Sequence, residues 1–276
     1  MSSGESARRV RRTLLTEDGE RISAQLLQQA NSTTEPPIVG AIVVHGFSGS
    51  VEKPINYRVI ERISRNIPVI AFDMRGHGAS SGECTLGDRE VADVGAAVTW
   101  ARSRGWSRIV LVGFSMGAAV VVRYAGIVGG VAGVVSVSGP AFWNYRGTPV
   151  MRRLHFGVEN PMGRQFVRRV MKTRVIEPPW PEPWPESPFD AAAYIAPTPF
   201  LVVHGTQDEF FPMEHPRALI HSARQGAVAR DLSSYEPQIW LRNFGHAEAA
   251  ISDELLDAVA GWCLSCATPV QVPESQ

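Results

Sequence analysis

Ile109-Val110-Leu111-Val112-Gly113-Phe114-Ser115-Met116-Gly117-Ala118-Ala119 is the stretch that decides the fold. Four apolar residues run into Gly-x-Ser-x-Gly, and small, helix-compatible residues follow. This is the pattern of a strand, a sharp turn and a helix, a nucleophile elbow, in which strained backbone lifts the serine hydroxyl clear of a sheet. Glycines are required two residues to either side because Cβ atoms there would strike neighbouring strands. Ser115 is the candidate nucleophile.

Upstream of the elbow, Arg12–Thr16 and Arg21–Leu27 flank Glu17-Asp18-Gly19-Glu20, whose Asp-Gly predicts a hairpin. A loop through Pro36-Pro37 leads to a short apolar strand, Val39–Val44, then a helix over Pro54–Arg65 and a buried strand, Pro68–Phe72. Strand, helix, strand with short connections is a βαβ unit and predicts a parallel sheet. Asp88–Arg104 carries Val91, Val94, Ala97, Val98 and Ala101 at helical spacing behind an acidic cap. Downstream the spacing predicts a helix over Met116–Ile127 and a strand over Gly133–Val137.

The alternation breaks near Gly139, and from Pro140 to Pro197 the chain is basic, aromatic and proline-rich. It resumes with a strand at Pro199–His204, a helix at Glu214–Arg224, a strand at Gln238–Arg242 and a closing amphipathic helix over Ala247–Cys263. The fold class is therefore α/β, a mostly parallel sheet with helices on both faces. Its core runs over residues 12–139 and 198–265, and 140–197 forms a small inserted cap.

Lys+Arg and Asp+Glu each total 27, so no global field attracts nucleic acid or a membrane. Met1–Arg12 has arginines but no apolar run, reads as a frayed polar tail rather than a secretory signal, and sets the expectation of a cytoplasmic protein. Tyr124–Trp143 carries no charge over about twenty residues, the length of a membrane span, but its glycines and Pro140 divide it into helix end, turn and strand. Of three cysteines, Cys263-x-x-Cys266 sits one turn apart in the last helix and reads as packing.

A serine hydroxyl needs an imidazole as general base and a carboxylate to hold that imidazole's tautomer. Asp208 and His246 each stand in a loop just after a predicted strand, and in an open α/β sheet those carboxyl ends share one crevice. Ser, Asp, His is also the chain order this arrangement uses. Glu209 is the rival acid. Among the other histidines, His45 and His204 close strands beside glycines and are expected to bond to backbone. The intermediate's oxyanion needs two N–H donors, expected from the backbone of Met116, at a helix start, and of Phe47, after the Val39–Val44 strand.

His45-Gly46-Phe47-Ser48-Gly49, Asp73-x-Arg75-Gly76-His77-Gly78-x-Ser80, Gly113-Phe114-Ser115-Met116-Gly117, His204-Gly205-x-x-Asp208 and Gly245-His246 together resemble the α/β-hydrolase superfamily over residues 12–265. Residues 45–125 are most similar to carboxylesterases that include hydroxycinnamoyl esterases, and less closely to the monoacylglycerol lipase and serine aminopeptidase groups. The resemblance implies a hydrolase without metal or cofactor, with Ser115, His246 and Asp208 as its triad and a small acyl ester as substrate. An acyl-thioesterase acting on coenzyme A or carrier-protein substrates is the alternative. Arg146–Arg174, with eight Lys and Arg against Glu159, disfavours an aminopeptidase and suits an anionic substrate or carrier. If Pro161–Arg174 is helical, Met162, Phe166 and Val170 share one face and roof the site, while Arg164, Arg168 and Lys172 line another.

Overall fold

The computed structural model describes residues 8–29, 39–178 and 182–266. It opens with an antiparallel pair, β1 (Arg8–Leu15) and β2 (Arg21–Gln28), whose turn holds Gly19 at φ +90°. Strands and helices then alternate through β3 (Val39–Val44), α1 (Pro54–Ser64), β4 (Val69–Phe72), α2 (Glu90–Ser103), β5 (Arg108–Phe114), α3 (Met116–Ile127) and β6 (Gly133–Val137). The chain next leaves the sheet for α4 (Pro149–Glu159), α5 (Pro161–Phe166), a π-helical stretch over Val167–Met171 and α6 (Pro188–Ala192). It returns through β7 (Phe200–Gly205), α7 (Glu214–Val228), β8 (Gln238–Arg242), α8 (Ala247–Ala250) and α9 (Asp253–Ser265).

The strands form one sheet in the order β1-β2-β4-β3-β5-β6-β7-β8, parallel from β4 to β8 and antiparallel at β1 and β2. Its apolar runs are continuous because both faces are covered. Ile42, Val44, Ile70, Phe72 and Leu111 enter one core with α2, α3 and α7, while Ala41, Val43, Val69, Ala71 and Val112 enter the other with α1 and α9. From β3 the chain steps outward to β4, then crosses back to place β5 on β3's other side. That reversal opens a crevice at the carboxyl ends of β3 and β5, and the elbow sits at its edge.

Several boundaries differ from the sequence reading. The strand begins at Arg8, so the arginine-rich stretch Arg8–Arg12 is edge strand rather than tail; charge on an edge blocks pairing with another sheet. Helix α2 starts at Glu90, not at an Asp88 cap. Instead the buried Glu90 carboxylate folds back to accept from Thr85 N–H, Thr85 Oγ and Gly87 N–H at 2.7, 2.5 and 3.0 Å, and Asp88 pairs with Arg123. The closing helix is broken at Ile251–Ser252, where Ser252 Oγ accepts from Leu255 N–H at 3.2 Å and starts α9 afresh.

Tyr124–Trp143 divides as expected into helix end, β6 and loop, and no helix of the described residues is long and apolar enough to cross a membrane. Cys263 and Cys266 are free and buried in the second core, where burial raises both thiols, Cys266 to about 11. The Pro36-Pro37 loop lies outside the described residues.

Candidate active site

Ser115 occupies the turn between β5 and α3 at φ +51°, ψ −117°, a conformation that costs an ordinary residue about 1–3 kcal/mol. The flanking glycines explain how it is held. A Cβ on Gly117 would lie 2.4 Å from the Val44 carbonyl oxygen and 2.5 Å from that of His45, at the end of neighbouring β3. A Cβ on Gly113 would meet the elbow's own helix, 2.3 Å from the Gly117 oxygen, rather than another strand.

Three loops converge on this serine. His246, after β8, accepts a hydrogen bond at Nε2 from Ser115 Oγ at 2.8 Å. Its Nδ1–H donates to Asp208 Oδ2, after β7, also at 2.8 Å. The other oxygen of Asp208 accepts from the Phe210 and Phe211 N–H groups at 2.8 and 3.0 Å. Burial pushes the Asp208 carboxyl up, but His246 and these two amides outweigh it and hold it below its ordinary value. With its side chain 1% exposed, Asp208 is a shielded carboxylate aimed at one imidazole. Phe210 stacks on that ring at 4.0 Å between centroids, fixing its plane. The rival acid, Glu209, is exposed and makes no hydrogen bond to His246.

The two residues expected to supply backbone donors also border this space. Phe47 and Met116 both line the cavity, and among the described residues no acceptor takes either N–H. Met116 owes this to its place as first residue of α3, where helix amides lack partners. Phe47 sits in a loop whose neighbouring residues are braced by two histidines. His45 donates from Nδ1 to the Gly46 carbonyl at 2.7 Å and accepts at Nε2 from Met74 N–H at 3.1 Å. His77 donates from Nδ1 to the Arg75 carbonyl at 2.9 Å and accepts at Nε2 from Ser48 N–H at 3.1 Å. Burial lowers both imidazoles, His77 to about 3, so each stays neutral and keeps an acceptor nitrogen for the backbone. The expected backbone role of His204 also holds, since its Nε2 donates to the Phe211 carbonyl at 2.8 Å.

Sequence reasoning missed Glu248. Two residues beyond His246, its buried carboxylate accepts from Gly46 N–H at 2.7 Å and lines the cavity. No motif signals it, because its partner lies 202 residues away. The brace from His77 to Ser48 has no local signature either, although His77 lies in the Arg75-Gly76-His77-Gly78 run.

The cavity measures about 260 Å³ and is mostly apolar. Met151, Leu154 and Val158 of α4, with Met171, line it along with the elbow, and no Lys or Arg contributes. This corrects the expected roof. Met162, Phe166 and Val170 are 79, 58 and 61% exposed and face outward. Arg164 is not part of a solvated stripe either, since it donates to the Val158 and Glu159 carbonyls and pairs with Glu177.

The sheet order and the elbow define a protein of the α/β-hydrolase class. Residues 41–262 match the model of the alpha/beta hydrolase family, and the chain belongs to that family. No curated protein matches the sequence closely enough to name a relative. In fold the chain is similar to the esterase Pf2001 of Pyrococcus furiosus, with 20% identity, 95% of this chain and 92% of that one covered, and a TM-score of 0.73. It is also similar to Est1E of Butyrivibrio proteoclasticus, solved with ferulic acid, at 20% identity, 92% and 98% covered, TM-score 0.59. XC6422 of Xanthomonas campestris, an α/β serine hydrolase without a lid, follows at 19% identity, 94% and 93% covered, TM-score 0.56.

Proposed function

We propose that this protein hydrolyses carboxylic esters through Ser115, His246 and Asp208. The observation that carries the reading is the chain of two 2.8 Å hydrogen bonds from Ser115 to His246 to Asp208, beside two unengaged amides and under an apolar cavity. Ser115 Oγ attacks the ester carbonyl while His246 Nε2 takes its proton. The carbonyl oxygen becomes an oxyanion that accepts from Phe47 and Met116 N–H, each donor contributing about 10²–10³ in rate. His246 returns the proton to the departing alkoxide, leaving Ser115 acylated. A water then gives a proton to His246 and its oxygen to the acyl carbon; the bond from that carbon to Ser115 Oγ breaks, His246 returns the proton to Oγ, and the acid leaves with Ser115 and neutral His246 restored.

Asp208 holds the His246 Nδ1–H tautomer and stabilises the imidazolium while it lasts. Residues 140–197 act as the cap that supplies part of the wall of the cavity. No step calls for a metal or cofactor.

An apolar lining without Lys or Arg favours a neutral acyl ester over an anionic substrate bound inside. The thioesterase reading shares the same chemistry and remains testable by comparing an acyl-thioester with its oxygen ester. The decisive experiment is labelling by a fluorophosphonate, read by peptide mass spectrometry, beside turnover of p-nitrophenyl esters of increasing chain length. Label on Ser115 and loss of turnover in a folded Ser115→Ala variant are expected. Label elsewhere, or a variant retaining more than a few per cent of the rate, refutes the assignment.

A further inference from the structure

The segment between β6 and β7 is apolar on two opposite sides. One side lines the cavity. The other presents Phe156, Met162, Phe166 and Val170 to solvent, each more than half exposed. They stand on adjoining helical stretches. A Cβ on Gly163 would come within 2.5 Å of the Gly157 oxygen, so α4 and α5 touch backbone to backbone beside Phe156 and Met162. Phe166 and Val170 continue from Met162 at four-residue spacing, which keeps them on one strip of helix.

Arg152, Arg153, Arg168, Arg169 and Lys172 are exposed among them. The segment's own ion pairs among the described residues are Arg146–Glu159, His155–Glu159 and Arg164–Glu177, so Arg153, Arg168, Arg169 and Lys172 enter none. Exposed apolar side chains and cations outside any ion pair thus stand along the same segment, and a partner that takes both would cover them.

A second copy of this face would oppose like charges across a two-fold axis. A nucleic acid would satisfy the cations and strand four apolar side chains against phosphates. An anionic bilayer surface accommodates the set: the apolar side chains enter the boundary of headgroup and acyl chain, and the cations, on long stems, reach phosphates.

We propose that the outer face of the β6–β7 segment docks on anionic lipid surfaces through Phe156, Met162, Phe166 and Val170, ringed by Arg153, Arg168, Arg169 and Lys172. Since α4, which carries Phe156, and the π-helical stretch, which carries Val170, also line the cavity through Met151, Leu154, Val158 and Met171, a docked molecule holds its candidate active site one helix layer from the membrane. That consequence rests on the esterase reading, whereas the docking does not.

The test is co-sedimentation of the full chain with vesicles of phosphatidylcholine alone and of phosphatidylcholine and phosphatidylglycerol in equal parts. Binding to the second and not the first is expected. Each cation near an anionic surface contributes about fivefold in affinity, so Arg168→Gln/Lys172→Gln should weaken binding about 30-fold. Raising salt from about 0.1 to about 1 M, which shortens the Debye length from about 10 to about 3 Å, should release the wild type. Met162→Ser/Phe166→Ser should also lose binding. Both double variants should melt as the wild type does by circular dichroism and cleave a soluble ester at its rate, since none of these side chains lines the cavity.

Failure to bind phosphatidylglycerol vesicles overturns the proposal, as does binding that neither double variant weakens. A dimer in analytical ultracentrifugation that Met162→Ser/Phe166→Ser dissolves would assign the face to a second copy instead. An enzyme that binds vesicles yet fails on every ester would leave the docking standing and remove the esterase reading.

Discussion

Gly117→Ala tests the link between elbow packing and catalysis. The added methyl would sit 2.4 and 2.5 Å from the Val44 and His45 carbonyl oxygens. A carbon–oxygen contact relaxes at about 3.2 Å, so backbone on one side must yield by about 0.8 Å, and neither side is a flexible side-chain tip. One side is the elbow carrying Ser115 and the Met116 N–H; the other leads directly into Gly46 and Phe47. Either movement separates the proposed nucleophile, Ser115, from a proposed oxyanion donor by most of an ångström.

Misplacement of about 1 Å costs on the order of 10² in rate, and full loss of a donor 10²–10³. Overpacking of this kind costs about 1–3 kcal/mol, or roughly 3–10 °C in Tm. We expect kcat for a p-nitrophenyl ester to fall about 100-fold with KM changed by less than about threefold. Steady-state kinetics and differential scanning calorimetry on the same preparation would measure both. A folded Gly117→Ala enzyme within about threefold of wild-type kcat would refute the reasoning.

Asp208→Asn should lower kcat by about 10⁴ through the wrong His246 tautomer, while Glu209→Gln leaves it unchanged; the reverse result in parallel kinetics would move the acid to Glu209. Glu248→Ala strips the Gly46 N–H of its buried acceptor and should cost about 1–3 kcal/mol in chemical denaturation as well as activity, whereas Glu248→Gln, which keeps an acceptor oxygen, should restore most of both. The hydrogen bond from Arg75 is the main reason the Asp18 carboxyl is lowered to about 2. A depressed carboxyl adds stability that is whole above about pH 4 and lost as pH falls through about 2. Because Asp18 is 37% exposed, Asp18→Asn should cost under about 1 kcal/mol near pH 6, a difference that calorimetry should find vanishing in acid.

The sequence by itself determined what short-range physics enforces. Gly113 and Gly117 could be read because no other residue fits those backbones. The strands could be read because a sheet covered on both faces needs unbroken apolar runs. Ser115, Asp208 and His246 could be proposed as partners because each follows a strand, and parallel strands deliver their carboxyl ends to one crevice. The break at Ser252 was missed: a serine before Asp253-Glu254 is a helix-start signal, but the apolar periodicity running through it predicted one continuous helix.

What tertiary structure alone decided were choices between surfaces. Arg8–Arg12 is strand because it is an edge, a property of sheet order and not of five residues. The chain at Pro161–Met171 has the expected helical character, but which side faces the cavity depended on α4 reaching the site first with Met151, Leu154 and Val158. Glu248 and His77 hold the Phe47 loop from positions 202 and 29 residues away from their partners. Such contacts have no periodicity and no local signature, because the free energy that selects them exists only once the sheet has brought its loops together.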